Sequence, residues 1–156
     1  MKEFPFVWTG LKPLSDELGM PIDSMSVEFF QSWPQWVTLW RPDGTGIRIH
    51  SEIVDVAEWA EVGVLHFDYV VAPSADEVFA KIAPTFNSRF TVSKLVIGES
   101  GAIVESGIVL ASANGDEIVV VANVFPYKLA VRGVPTITDT FAPEYPLDTY
   151  NRVSMS

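Results

Sequence analysis

Cysteine is absent from this 156-residue chain. That excludes disulfides, a thiol nucleophile, Cys-ligated zinc and cysteine-held iron–sulfur clusters. Histidine is scarce, with two in the whole sequence, so any site built on imidazole has to use His50, His66 or both. Basic residues are outnumbered, with 10 Lys and Arg against 20 Asp and Glu for a formal charge of −10. They are scattered from Lys2 to Arg152 instead of clustered, so the electrostatic footprint of a nucleic-acid binder is missing. Apolar runs such as Ile118 to Ala122 fall far short of the roughly 20 residues that span a bilayer. Met1 to Leu14 carries Lys2, Glu3, Pro5 and Gly10 in place of the apolar core of a secretory signal. The expectation is a cytoplasmic protein with no nucleic-acid and no membrane partner. Its acidic surface favours solubility and, among partners, cations or a basic protein.

What is present is a β-rich pattern. At this length a single domain over residues 1–156 can bury roughly 68–70% of its unfolded surface and needs no metal to hold it. Two apolar runs, Val104 to Ala113 and Asp116 to Phe125, flank Asn114-Gly115. That dipeptide favours a two-residue hairpin turn and would set Val109 opposite Val120 and Leu110 opposite Val119. Both faces of this hairpin are apolar, which places it at the centre of a sheet covered on both sides. Further strands are expected at Phe90 to Ile97, Tyr127 to Arg132, Met25 to Phe30, Trp36 to Arg41, Ile47 to Ala57 and Val62 to Val71, with a turn at Pro42 to Gly46. A rival reading of Glu52 to Glu61 as a helix, with acids every three residues, yields to its valine content. The clearest helix signal lies between Pro73 and Pro84, where Ser74-Ala75-Asp76-Glu77 fits a capping box and Val78, Phe79 and Ile82 form an apolar stripe. The fold class is therefore α+β, mainly antiparallel sheet of about seven or eight strands, with a short helix after Pro73.

The stretch 133–156 holds Pro135, Pro143 and Pro146 among Phe141, Tyr145 and Tyr150. It reads as an irregular C-terminal arm that packs on the domain or docks onto a partner, including a second copy in a homo-oligomer.

Catalytic motifs fail one by one. Gly44-Thr45-Gly46 lacks the third glycine and the following helix of a dinucleotide fingerprint. Gly98-Glu99-Ser100-Gly101-Ala102 ends in alanine, leads into a strand and has no histidine after it, which excludes a nucleophile elbow of the Ser…Asp…His order. Phosphate-binding loops, His-Glu-x-x-His and calcium loops are missing, and no cofactor is indicated.

Two constellations remain. If the strands either side of Trp59 pair as a ribbon turning around that residue, Arg48, His50, Glu52, His66 and Asp68 share one face, with His50 opposite Asp68 and Glu52 opposite His66. Such a patch supplies a carboxylate-oriented imidazole as general base. Alternatively, His50, His66 and Asp68 supply a mixed nitrogen and oxygen site for a divalent metal. Cross-strand His–acid pairs are also ordinary stabilisers of a solvated face. The second constellation is Trp33-Pro34-Gln35-Trp36-Val37-Thr38-Leu39-Trp40. On a strand, Trp36 and Trp40 share a face and offer either a binding platform or core. The leading expectation is a non-catalytic binding protein for a basic or apolar partner, anchored by Trp36 and Trp40 or by the arm. The alternative is a small, metal-dependent enzyme using His50, Glu52, His66 and Asp68.

Overall fold

The computed structural model describes every residue except Trp59, Thr136, Thr138 and Ser156. In chain order the elements are β1 (Lys2–Phe4), β2 (Val7–Trp8), α1 (Leu14–Leu18), β3 (Ser24–Phe30), β4 (Trp33–Trp40), β5 (Gly46–Ala57) and β6 (Ala60–Val70). They continue with β7 (Val78–Ala80), β8 (Phe90–Glu99), β9 (Ala102–Ser112), β10 (Glu117–Ala122), β11 (Leu129–Arg132) and β12 (Asn151–Ser154). Single 3-10 turns occupy Pro84–Asn87 and Leu147–Thr149. The strands form two six-stranded sheets. One runs β11-β10-β9-β8-β12, with β1 lying along β9; the other runs β2-β6-β5-β4-β3-β7. Every pairing is antiparallel except β1 with β9 and β2 with β6. No described helix is long and apolar enough to cross a membrane.

The architecture is thus more strongly β than the sequence implies. The helix expected after Pro73 is replaced by a turn and the edge strand β7, which pairs with β3 through Val78, Phe79 and Ala80. Half of the capping box does form, since the Ser74 N–H donates to Glu77 Oε2. The other Glu77 oxygen is held by the second sheet, and this tertiary contact overrides the local helix signal. The α-helix present, α1, starts after Pro13 and was not legible in a five-residue segment.

Period-two alternation explains the core. Along β9, Ile108 and Leu110 enter one apolar cluster while Val109 enters another on the opposite face. The first cluster lies between the sheets, where Ile118 and Val120 meet Val37, Leu39, Ile49 and Phe67. Phe67 is fully buried, and Phe6 meets it edge-on at 4.8 Å, a contact worth about 0.5–1.5 kcal/mol beyond area burial. The second cluster covers the far face of the first sheet. It is roofed by Val62 and Val64 of β6 and by Phe141, Tyr145, Leu147 and Tyr150 of the C-terminal segment. The central hairpin is therefore buried on both faces, as its sequence implies.

The β5–β6 hairpin serves both clusters. Its proximal residues Ile49, Leu65 and Phe67 point into the first, and its distal Val56, Val62 and Val64 into the second. Gly63 makes the crossing possible, because a Cβ there would lie 2.6 Å from the Cβ of Ala122. The Gly63 N–H donates to Glu144 Oε1 at 2.9 Å, and the Glu144 N–H donates to the Ala122 carbonyl at 3.0 Å, which ties down the arm. The aromatics of the arm are thereby used within the chain. Its end is also regular, for β12 pairs with β8 where the prolines suggested broken structure.

Candidate functional site

The outer face of the second sheet carries the residues singled out by the sequence. Arg48, His50, Glu52, His66 and Asp68 share that face, as alternation requires. Their pairing differs from the expected one by two residues: His50 lies opposite His66, Arg48 opposite Asp68, and Glu52 opposite Val64. The cause is a tight end to the hairpin. Ala57 pairs with Ala60, and a bulge between Asp55 and Ala57 shifts the register once more. Trp59, the expected pivot, lies outside the described residues. A two-residue slip leaves every side chain on its face while changing its neighbours.

The result is a row of three rings. Trp36 stacks on His50 with centroids 5.3 Å apart and planes 21° from parallel, and His50 faces His66 at 5.1 Å. The Arg48 guanidinium sits over Trp36 at 5.3 Å. His50 Nε2 lies 3.2 Å from Glu52 Oε1. Its Nδ1 is 3.8 Å from Asp68 Oδ2, beyond hydrogen-bond reach, and is buried without a partner. Asp68 Oδ1 instead accepts from the Thr9 hydroxyl at 3.1 Å. For proton transfer this is an unfavourable arrangement: one imidazole nitrogen is engaged by Glu52 and the other is shielded from any substrate. Trp36 and His50 stack, whereas the His50 and His66 planes are tilted by 42°. Among the described residues no group of three or more His, Asp or Glu, including His50, His66 and Asp68, is placed to hold a metal ion.

Burial and the neighbouring His50 push the pKa of His66 below 6.5, against the opposing pull of Glu52 and Asp68. A folded-state pKa lower than the unfolded one means that the contribution of this group is fully present above about 6.5 and is lost as pH falls through the lower value. Urea unfolding is expected to show stability dropping as pH falls through this range, and His66→Gln is expected to flatten that part of the profile. An unchanged profile in the variant would show that His66 does not set it.

Trp36 and Trp40 have different fates. Trp36 is partly exposed, whereas Trp40 is 5% exposed, stacks on Phe79 at 6.1 Å and donates its indole N–H to Ser26 Oγ at 2.7 Å. Trp40 is therefore core, which narrows the platform on this face to Trp36. The same face holds a residue the sequence reading assigned to a helix cap. Glu77 Oε1 accepts from Ser26 Oγ at 3.0 Å, Thr38 Oγ1 at 3.1 Å and Arg48 Nη2 at 3.1 Å.

A second assembly, not anticipated from sequence, lies where the β3–β4 turn meets the β10–β11 loop. The Lys128 ammonium lies 3.2 Å from the Trp33 ring centroid and 4.3 Å from that of Phe125, and Phe30 adjoins Trp33 at 5.7 Å. Phe30, Phe125 and Tyr127 are each more than half exposed. Both connections contain a non-glycine residue in the left-handed region, Gln31 at φ 58° and Tyr127 at φ 62°, a conformation that costs energy and recurs at binding sites. The available signal was Val124-Phe125-Pro126-Tyr127, an apolar run in a segment that had to leave the sheet.

Acid charge gathers beside this patch. The hairpin end, residues 52–61, carries Glu52, Asp55, Glu58 and Glu61 and no Lys or Arg of its own, and Lys2 lies beside Asp55 and Glu58. At the hairpin end, Asp55 and Glu61 are direct cross-strand partners, a like-charge pairing that destabilises a sheet. A cleft of about 150 Å³ lined by Glu61, Glu144, Val124 and Phe125 joins the acidic and aromatic parts. Burial raises the Glu144 pKa, with the Gly63 N–H opposing and Glu99 adding to the rise. Burial, Glu144 and Glu99 also push the neighbouring Tyr145 up to about 12.

The chain matches no protein-family model, no curated protein and no solved structure.

Proposed function

We propose that this chain is a non-catalytic binding protein that takes a basic segment bearing apolar side chains. The observation that carries the reading is the exposed aromatic side chains Phe30, Phe125 and Tyr127, with the half-buried Trp33, beside a hairpin end whose acids Asp55, Glu58 and Glu61 have Lys2 as their basic neighbour. Exposed aromatic patches of this kind mark interaction sites, where Trp and Tyr supply most of the anchoring energy. Lys128 resting on Trp33 and Phe125 illustrates that these rings accept an ammonium group. A partner's cations would meet Asp55, Glu58 and Glu61, and its apolar side chains would cover Phe30, Phe125 and Tyr127. Absence of cysteine is compatible with a reducing compartment such as the cytoplasm. The enzymatic alternative is less favoured, because both nitrogens of His50 are committed or shielded.

The test uses a synthetic peptide alternating lysine with leucine or phenylalanine, and a glutamate-substituted control. Binding to the lysine peptide is expected to weaken about tenfold between low salt and roughly 0.3 M salt, where the Debye length falls to several Å. The Phe125→Asp variant distinguishes an apolar anchor from bulk attraction. It adds negative charge, so a purely electrostatic contact would tighten, whereas the proposed one loses about tenfold, the scale of an anchor side chain. Charge reversal at Glu58 and Glu61 is expected to reduce binding further. Equal binding of the two peptides, or tighter binding by Phe125→Asp, would refute the proposal.

A further inference from the structure

A separate cleft of about 460 Å³ opens between the segment after β2, the end of α1 and the β4–β5 turn, and it shares no lining residue with the aromatic patch. Its size falls in the range of about 300–1,000 Å³ typical of small-molecule sites. Arg41 lines it and is 6% exposed. Arg41 Nη1 donates to Glu17 Oε2 and to Met20 Sδ, and Nε donates to Thr45 Oγ1 at 3.0 Å. A guanidinium has five N–H donors, and those bonds use only Nε and Nη1. Arg41 Nη2 has no hydrogen-bond partner among the described residues, and it is not among the side-chain nitrogens sealed off without one. A side chain this buried, clamped from several sides and left with one free amino group, is a preorganised donor.

The other charges around the cleft narrow the chemistry. Glu17 is spent on Arg41. Asp43 accepts the hydroxyl and the N–H of Thr45, at 2.6 and 2.9 Å. Lys12, also lining the cleft, forms no ion pair among the described residues. Its carbonyl accepts the Trp8 indole N–H at 2.6 Å, which sets the position of the segment that bears it. The uncommitted side-chain nitrogens of the lining, Arg41 Nη2 and the Lys12 ammonium, are therefore both cationic donors, in a protein whose net charge is −10. Apolar surface surrounds them: Leu11 is fully exposed, Met20 is 42% exposed and Tyr69 46%, with Trp8 as a further wall.

We propose that this cleft binds a small organic carboxylate with a flat apolar body. The carboxylate accepts from Arg41 Nη2 and pairs with Lys12, and the body lies between Trp8, Leu11, Met20 and Tyr69. A cationic ligand would face the Arg41 and Lys12 charges, and the acid left to receive it, Asp43, is exposed on the β4–β5 turn and bonded through Oδ1 to Thr45.

The proposal is tested by titrating the isotope-labelled protein with benzoate, phenylacetate, indole-3-acetate and hexanoate, each beside its neutral amide, and with acetate as a carboxylate without a body. Saturable amide-resonance changes are expected at residues 8–12 and 41–45 and at the Trp8 indole. At least one acid should bind about tenfold more tightly than its amide, the scale of one charge-assisted hydrogen bond. Lys12→Gln, at the exposed rim, should weaken that acid several-fold. Leu11→Ser should weaken acid and amide alike. Arg41→Lys should abolish the preference for acid over amide, with its circular dichroism spectrum compared to that of the parent chain, and Lys12→Gln keeps the test decisive should that variant unfold. No saturable change at these residues for any acid, or no preference for acids over amides, would overturn the proposal.

Discussion

Glu17→Ala should cost about 3–5 kcal/mol of stability, because it leaves the Arg41 guanidinium buried without its counter-charge. The two side chains are only 9% and 6% exposed, so little solvent screening is available to soften the loss. For a chain of this length the expected fall in Tm is on the order of 10 °C. Urea unfolding should show the midpoint falling with an unchanged m value, the signature of lost stability without a change in the surface exposed. Glu17→Gln retains an acceptor and should lose less. The double variant Glu17→Leu with Arg41→Met should recover most of the loss, since apolar pairs commonly replace buried ion pairs at little cost. If Glu17→Ala unfolds at the parent's urea concentration, the Arg41 guanidinium does not depend on Glu17 as its buried counter-charge.

Glu77→Ala should be nearly as damaging, at about 3 kcal/mol, for a different reason. Ser26 and Thr38 are fully buried, and both donate to the Glu77 carboxylate along with Arg48. Truncation strands two hydroxyls and a guanidinium that is 16% exposed. The effect should depend on pH. Burial pushes the Glu77 pKa up, but the Ser74 N–H, the Ser26 and Thr38 hydroxyls and the Arg48 charge together hold it below its ordinary value of 4.5. A depressed folded-state pKa gives stability that is present above the unfolded value and lost as pH falls through the folded one. The gap between parent and variant should therefore be widest near neutral pH and close progressively below about pH 4. A gap that stays constant into acid would show that the carboxylate charge is irrelevant to the clamp.

The strands with strong patterns were legible, and their partners were less so. The ribbon around Asn114-Gly115 forms, but its register is one residue from the expected one. Only Gly115 takes a positive φ, of 94°, and the turn is closed by the Ser112 N–H on the Asp116 carbonyl. Asn114 keeps a negative φ, so the loop has three residues where the dipeptide suggested two. Because both faces of that hairpin are apolar, the slip has no cost in burial, and hydrophobicity could not have revealed it. The His50 and His66 ribbon shows the opposite case. Its core face, with Ile49 and Phe67, allowed only even shifts, so the shared face was predictable while the opposing residue was not. Short elements escaped altogether. β2 has two residues and β1 and β7 have three each, too few for any period to register. The aromatic patch and the Arg41 cleft escaped for a topological reason, since each joins segments far apart in sequence that only the finished fold brings together.

The segment from Lys2 to Trp8 joins β9 of one sheet and β6 of the other, both in parallel. Parallel neighbours distant in sequence contribute heavily to contact order and form slowly. During synthesis this segment waits for Val7 to find His66 and, later still, for Lys2 to find Ala102. It acts as a suture drawn through both layers after they have been laid down. Pulling it out should therefore separate the layers locally long before either one frays from within, which makes it the natural first opening in native-state hydrogen exchange.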